Sequence, residues 1–170
     1  MLLNAIGGKD KAGENSLIYS NCKVCLSGYK SIKLDQSVLC IRNMGKDKLK
    51  NGQEVCEKVD GQLPLPKSEI EVVAIQSFAE DNYTGVSKFQ LNLNDTQNEG
   101  SFVKIHGDKE KPTFWNWKTI TKQPNNKMTM INGTELGQNF AIMNVKSGYW
   151  EDENLDFEAN IVCQQVCGKS

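Results

Sequence analysis

Six cysteines set the tightest limit on how this chain of 170 residues can fold. They fall at positions 22, 25, 40, 56, 163 and 167, a close pair near each end and two between. An even count points either to an oxidised framework or to a metal site. On spacing alone both readings stand, because Cys22-x2-Cys25 and Cys163-x3-Cys167 are spaced like the ligands of a zinc ribbon. Only one histidine, His106, accompanies them. That excludes any site needing two imidazoles and weakens a nucleophile–histidine relay.

The charge balance narrows the class further. Lysine and arginine total 20 against 21 aspartates and glutamates, a net charge of −1. Nucleic-acid affinity comes mostly from phosphate neutralisation, so a nucleic-acid partner is not expected. No run approaches the ~20 apolar residues of a membrane span, so membrane insertion is not expected either. The length suits one domain, placed at residues 21–170, after a Gly/Lys/Asn-rich segment over 1–20 that is expected to be flexible. The start, MLLNAIGGKDKAGEN, lacks the basic start and the apolar run of a signal peptide. Asn82, Asn94 and Asn132 each open an N-x-Thr sequon and are candidate glycosylation sites. With the cysteines they point to a secreted or extracellular protein, or to the ectodomain of a larger one.

The pattern of elements is mixed. A hairpin ends in Ser37-Val38-Leu39-Cys40-Ile41. A helix is predicted over Lys48 to Val59, where Leu49, Gly52, Cys56 and Val59 share one face and Gly61 stops the run. Leu63-Pro64-Leu65-Pro66 is unsuited to helix interior. Ser68 and Glu71 then form a capping box for a second helix, with Ile70, Val73, Ala74 and Phe78 as its buried stripe. Beyond Asp81 short apolar runs alternate with turn residues, and Phe140–Val145 and Ala159–Cys163 read as strands. Hairpin, helices and then a strand-rich half predict an α+β fold, helices flanking antiparallel sheets.

Several landmarks, taken in order, resemble the C-type-lectin-like domain. Cys56 in the first helix is followed by Gly61-Gln-Leu-Pro-Leu-Pro-Lys-Ser68 at the junction into the second. Asn82-Tyr83-Thr84-Gly85-Val86 resembles the W-I-G-L core strand. Phe114-Trp115-Asn116-Trp117 resembles the motif before a long loop, and Gln123-Pro124-Asn125 the sugar-selecting tripeptide. Gly148-Tyr149-Trp150-Glu151-Asp152 is similar to G-x-W-N-D, and Phe157 to Gln164 to the closing strand. The match runs from about Cys25 to Gln164. The resemblance implies the fold and three disulfides: Cys56–Cys163, Cys25–Cys40 of the long form's N-terminal hairpin, and Cys22–Cys167 tying the ends together. This order puts Cys25 and Cys163 in different pairs, which argues against zinc. It also implies a departure. The family's second disulfide joins positions held here by Phe140 and Leu155, which could form an apolar contact instead. The loop over about 116–130 is therefore expected to be more mobile than in a bridged relative.

The resemblance carries a calcium question. The family holds calcium with oxygens of the tripeptide, a following glutamate and the N-D pair, and sugar hydroxyls complete the shell. Here the corresponding donors are Gln123, Asn125, Gln138 or nearby Glu135, Glu151 and Asp152, with Asn126 beside them as a further ligand-binding candidate. Calcium wants 6–8 oxygens and several carboxylates. This set is poor in charge, so calcium binding is expected to be weak, about 10⁻⁴–10⁻³ M. The stretch from Trp117 to Gln123 is also longer than the family's W-x3-E-P-N. Two readings follow: recognition of a protein or glycan through the long-loop face, and a calcium-dependent lectin with a degenerate site. As a turn, Gln123-Pro-Asn-Asn126 needs neither.

Other residues read as structural. Trp115 and Trp117 alternate, predicting one packed and one exposed. Met128 and Met130 are expected to pack inward as loop core, and if exposed they form a protein-contact site. His106 reads as an exposed histidine in a strand-turn. There is no serine elbow, P-loop or recognisable carboxylate pair, so no enzyme is expected.

Overall fold

The computed structural model describes residues 22–167. The expectation for residues 1–20 lies outside them. Ten strands and two α-helices follow one another as β1 (Lys30–Lys33), β2 (Val38–Lys48), α1 (Gly52–Glu57), β3 (Gly61–Gln62), α2 (Glu69–Asn82), β4 (Lys88–Asn94), β5 (Val103–Lys104), β6 (Thr129–Ile131), β7 (Thr134–Leu136), β8 (Phe140–Asn144), β9 (Trp150–Glu153) and β10 (Glu158–Gln165). The main sheet runs β1-β2-β10-β4-β8-β9, with β3 added to β10 and β5 to β4. The pairings are antiparallel except β10 with β4, joined in parallel at Asn160 and Phe89. β6 and β7 form a separate two-stranded ribbon. The α+β expectation holds, with this parallel strand pair added.

The first helix is shorter than its pattern suggested. β2 continues to Lys48, a 3-10 turn covers Leu49–Asn51, and the α-helix itself is Gly52–Glu57. Leu49, Gly52 and Cys56 are buried, as the face predicted. Gly52 is needed for its missing side chain, because a Cβ there would collide with Gln90 Oε1 and lie 3.2 Å from Ile161 Cδ1. Gln90 is buried in β4 and donates through Nε2 to the Leu49 carbonyl at 2.9 Å.

The second helix starts at its cap and buries a different stripe from the one expected. Ser68 Oγ accepts from the Glu71 N–H at 3.2 Å, while the Glu71 carboxylate reaches back to the Lys67 N–H at 2.8 Å. Val72, Ile75 and Ala79 are its buried residues. Ile70 is 70% and Val73 55% exposed, so the expectation of a buried Ile70/Val73 stripe is corrected. The run Val72-Val73-Ala74-Ile75 is apolar on two faces, and the β8–β9 turn selects one. Gly148, at φ 72°, comes so close that a Cβ would lie 2.7 Å from Val72 Cγ1. Gln76 Nε2 fastens the same contact by donating to the Val145 carbonyl at 2.7 Å.

The core strand is also displaced from its expected place. Tyr83 caps α2 and is not a strand residue. The strand is β4, Lys-Phe-Gln-Leu-Asn-Leu-Asn, with five consecutive buried residues. α2 packs with its Phe89, Leu91 and Leu93, and Gly52 of α1 lies against Gln90, so Gln90 and Asn92 are about as hidden as the Phe and Leu residues.

All three disulfides have the implied partners: Cys22–Cys167, Cys25–Cys40 and Cys56–Cys163. No described cysteine is free for a zinc ribbon. Phe140, at one end of the missing bridge, packs on the Leu49, Ile142 and Ala159 cluster. Phe157, rather than Leu155, joins it there.

Candidate functional site

The site lies where the long loop folds back on β9. Trp150 opens that strand and is fully buried. Its ring takes edge-to-face contacts from Phe114 at 5.8 Å and Trp117 at 5.9 Å. Trp115 stacks on Trp117 at 6.2 Å and 21°, so the two rings do not point apart. The segment carrying them is not a regular strand, and the period of two does not apply to it. Trp115 keeps 39% exposure.

After Trp117 the extra residues form a 3-10 turn at Thr119–Thr121, and Lys122 is left-handed at φ 54°. The Gln123–Pro124 peptide is cis. This path brings the loop backbone onto Asp152, which is 1% exposed. The Asn125 N–H donates to both carboxylate oxygens, at 3.1 and 3.0 Å, and the Asn126 N–H donates to Oδ2 at 2.6 Å. Gln123 Oε1 accepts from the Asp152 N–H at 3.1 Å. Gln138 closes the ring of contacts. It donates its own N–H to Asn126 Oδ1 at 3.0 Å and accepts the Lys127 N–H on Oε1 at 3.0 Å. Its Nε2 donates to Glu153 at 3.2 Å. Gln123, Asn125, Asn126, Gln138 and Asp152 are thus gathered as the sequence suggested.

The other two candidates stand apart from this cluster. β9 alternates, so Trp150 and Asp152 face one way and Glu151 and Glu153 the other. Glu151 lies between Lys88 and Lys118, at 3.1 Å from each ammonium. Burial raises its pKa, but the hydrogen bonds from Lys88 and Lys118 outweigh this and hold it below the usual carboxylate value. Glu135 is exposed on β7 opposite Met130 in the ribbon. Among the described residues no three Cys, His, Asp or Glu side chains gather closely enough to hold a metal ion.

Three participants escaped the sequence reading: Lys88, Lys118 and Glu153. Burial raises the pKa of Glu153, and the Gln138 hydrogen bond only partly offsets it. The alternation Glu151-Asp152-Glu153 was the available signal, since adjacent strand residues cannot share a face.

The rest of the loop face is apolar at its surface. Ile120 is 88%, Met130 66% and Met128 49% exposed, which corrects the expectation that the methionines pack inward. Among the described residues β6 pairs only with β7, so Met130 stands on an open two-stranded ribbon. The sequon residues are distributed widely. Asn82 is exposed at the end of α2, Asn94 is half-buried at the end of β4, and Asn132 is exposed in the β6–β7 turn. His106 is corrected too: its side chain is only 11% exposed.

Helix pair, six-strand path and long loop together define the fold of C-type lectin domains, and solved structures agree. The human scavenger receptor C-type lectin carbohydrate-recognition domain aligns with a TM-score of 0.64 at 20% identity, covering 84% of this chain and 99% of that one. The cow C-type carbohydrate-recognition domain of CD23 aligns with a TM-score of 0.65 at 22% identity, covering 86% and 99%. Residues 45–165 match the family described as lectin C-type domain, and the chain belongs to that family. It is a family of recognition domains, not of enzymes. A tetranectin-like protein of Carcharhinus perezii is 25% identical over 143 residues, 84% of this chain and 77% of that protein. C-type lectin domain family 3 member A is 24% identical in Mus musculus and 27% in Homo sapiens. The matches span 65% and 64% of those two proteins, less than two thirds of their length.

Proposed function

We propose that this chain is an extracellular recognition domain that binds a protein ligand through its long-loop face, without calcium. One observation carries the reading: both oxygens of Asp152 are committed to backbone N–H groups of the loop. Calcium takes 6–8 oxygens and draws on several carboxylates. The donor set does not fit it as arranged. Asp152 already accepts loop N–H groups on both oxygens, Glu151 faces away into two ammonium groups, Glu135 stands out on the β6–β7 ribbon, and the remaining donors are neutral amides. The Asp152 latch holds the loop in the place where a metal ion would. The exposed Ile120, Met128 and Met130 favour a protein over a sugar, since adaptable apolar side chains suit a protein surface. Three disulfides fit an oxidising compartment, and exposed Asn82 and Asn132 suit glycosylation there.

The test is a thermal melt at millimolar calcium against chelator. A ligand of the native state raises its stability, by about 2.7 kcal/mol at a hundred times its Kd. The expected midpoints are the same within ~1 °C. A calcium-dependent rise of several degrees, abolished in Asp152→Asn, would overturn the proposal in favour of a calcium-dependent lectin.

A further inference from the structure

A cavity elsewhere on the domain shares no residue with the loop face. It has a volume of about 360 Å³ and lies between the Leu-Pro junction before α2 and the turn after β5. That volume is at the lower end for small-molecule sites, roughly 300–1,000 Å³. Its floor comes from regular structure. Gln62 of β3 and Gln164 of β10 are direct register partners, so their side chains emerge side by side. Asn92 of β4 stands beside them with its orientation fixed, because its Oδ1 accepts the His106 N–H at 2.7 Å. Its Nδ2 is left over.

Asn92 is 3% and Gln164 8% exposed. Among the described residues the side-chain amides of Gln62 and Gln164 and the Nδ2 of Asn92 have no hydrogen-bond partner. Their amide ends open onto the cavity, where they are free to exchange water for an occupant. The floor thus offers a row of donors and acceptors suited to a polyhydroxylated occupant, since a carboxamide can both donate and accept. Leu65 supplies an apolar wall against which the C–H face of a ring can rest. The charge at the rim is unequal. Lys104 is already paired with Asp108, at 3.0 and 3.1 Å, whereas Lys67 has no carboxylate on its ammonium among the described residues. His106 adds no charge there: burial lowers its pKa, and the opposing effect of Glu57 does not restore it.

We infer that this cavity binds a single acidic sugar residue, its hydroxyls on the Gln62, Gln164 and Asn92 amides and its anionic group on Lys67. The inference is independent of what the loop face binds.

The experiment is an NMR titration of the whole chain, following the side-chain amide signals of Gln62, Gln164 and Asn92. The probes are glucuronate, galactose 6-sulfate, glucose and inorganic sulfate. The expected result is saturable movement of all three amide signals with either acidic sugar, and affinity about fivefold lower for glucose, as for loss of one exposed ion pair. Lys67→Ala is expected to erase the difference between glucuronate and glucose, and Gln62→Leu to abolish both. Asp152→Asn should leave the titration unchanged. Two results would overturn the inference: no movement at ~50 mM of any sugar, well above weak affinities, or inorganic sulfate binding as tightly as the acidic sugars. Lys67 is exposed, so its variant tests the site even if Gln62→Leu fails to fold.

Discussion

Asp152→Asn tests the link between latch and loop most directly. The substitution keeps the shape of the side chain and removes its charge. The native carboxylate receives two loop N–H groups, one shared between both oxygens at 3.1 and 3.0 Å and one at 2.6 Å. A hydrogen bond to a charged group contributes about 1.5–3 kcal/mol, so two have a ceiling of ~3–6 kcal/mol. Asn125 is exposed and Asn126 half-buried, so water can reach the freed donors and the ceiling is not met. Asparagine also retains one acceptor while turning its NH₂ towards an N–H. The resulting loss is about 2–3 kcal/mol. In a domain of this size that is roughly 4–12 °C of melting midpoint. The assay is a thermal melt in chelator, with amide exchange at Asn125 and Asn126 as the local readout. The variant should melt earlier and lose protection at those two amides, while α2 stays protected. An unchanged midpoint with both amides still protected would refute the latch.

Three further outcomes are expected. Removing both ammonium groups in Lys88→Met/Lys118→Met leaves Glu151, 15% exposed, without a counter-charge and costs about 1–2 kcal/mol, discounted for the exposure of the lysines. Because the folded pKa of Glu151 is depressed, that contribution is full above its ordinary 4.5 and fades as pH falls through the lower folded value, so wild type and variant should converge in acid melts. Gly52→Ala drives a methyl group into Gln90 Oε1 and should cost about 2–4 kcal/mol by urea unfolding, whereas Gly133→Ala meets no collision and should cost only the ~1–2 kcal/mol of placing a side chain at its φ of 79°. Replacing Cys22 and Cys167 together opens a loop of sequence separation 145 and should cost up to about 4–5 kcal/mol in denaturant, with the Cys56–Cys163 mass signature retained.

The parts of the fold legible in the sequence were those fixed by covalent or local rules. The cysteine order carried the disulfides once the lectin-like landmarks were recognised, and Ser68 with Glu71 marked the start of α2 correctly. What failed were readings that assume one buried face per element. α2 has apolar residues on two sides, and only contact with Gly148 decides between them. β4 is buried on both faces, so no alternation marks it in the sequence, and its Gln90 and Asn92 each have a particular buried contact. The site divides similarly. The tripeptide, Gln138 and Asp152 come together because loop and strand must meet. Glu151 and Glu135 do not join them, since strand alternation and ribbon pairing aim them elsewhere. The role of Lys88 depends on a partner 63 positions away and has no local mark.

The Cys22–Cys167 bond has a mechanical consequence. Its Cα atoms are 5.1 Å apart, and every described strand and helix lies between them in the chain. Tension applied to chain outside this pair passes from one cysteine directly to the other. The sheet, the latch and the cavity beside β3 lie on a slack branch that carries no load. Pulled by its ends in a force spectrometer, the oxidised domain should give no unfolding extension. After reduction it should lengthen by the contour of the released loop, about 50 nm at ~3.5 Å per residue. A domain tethered this way could hold a ligand under shear without its binding surfaces being deformed.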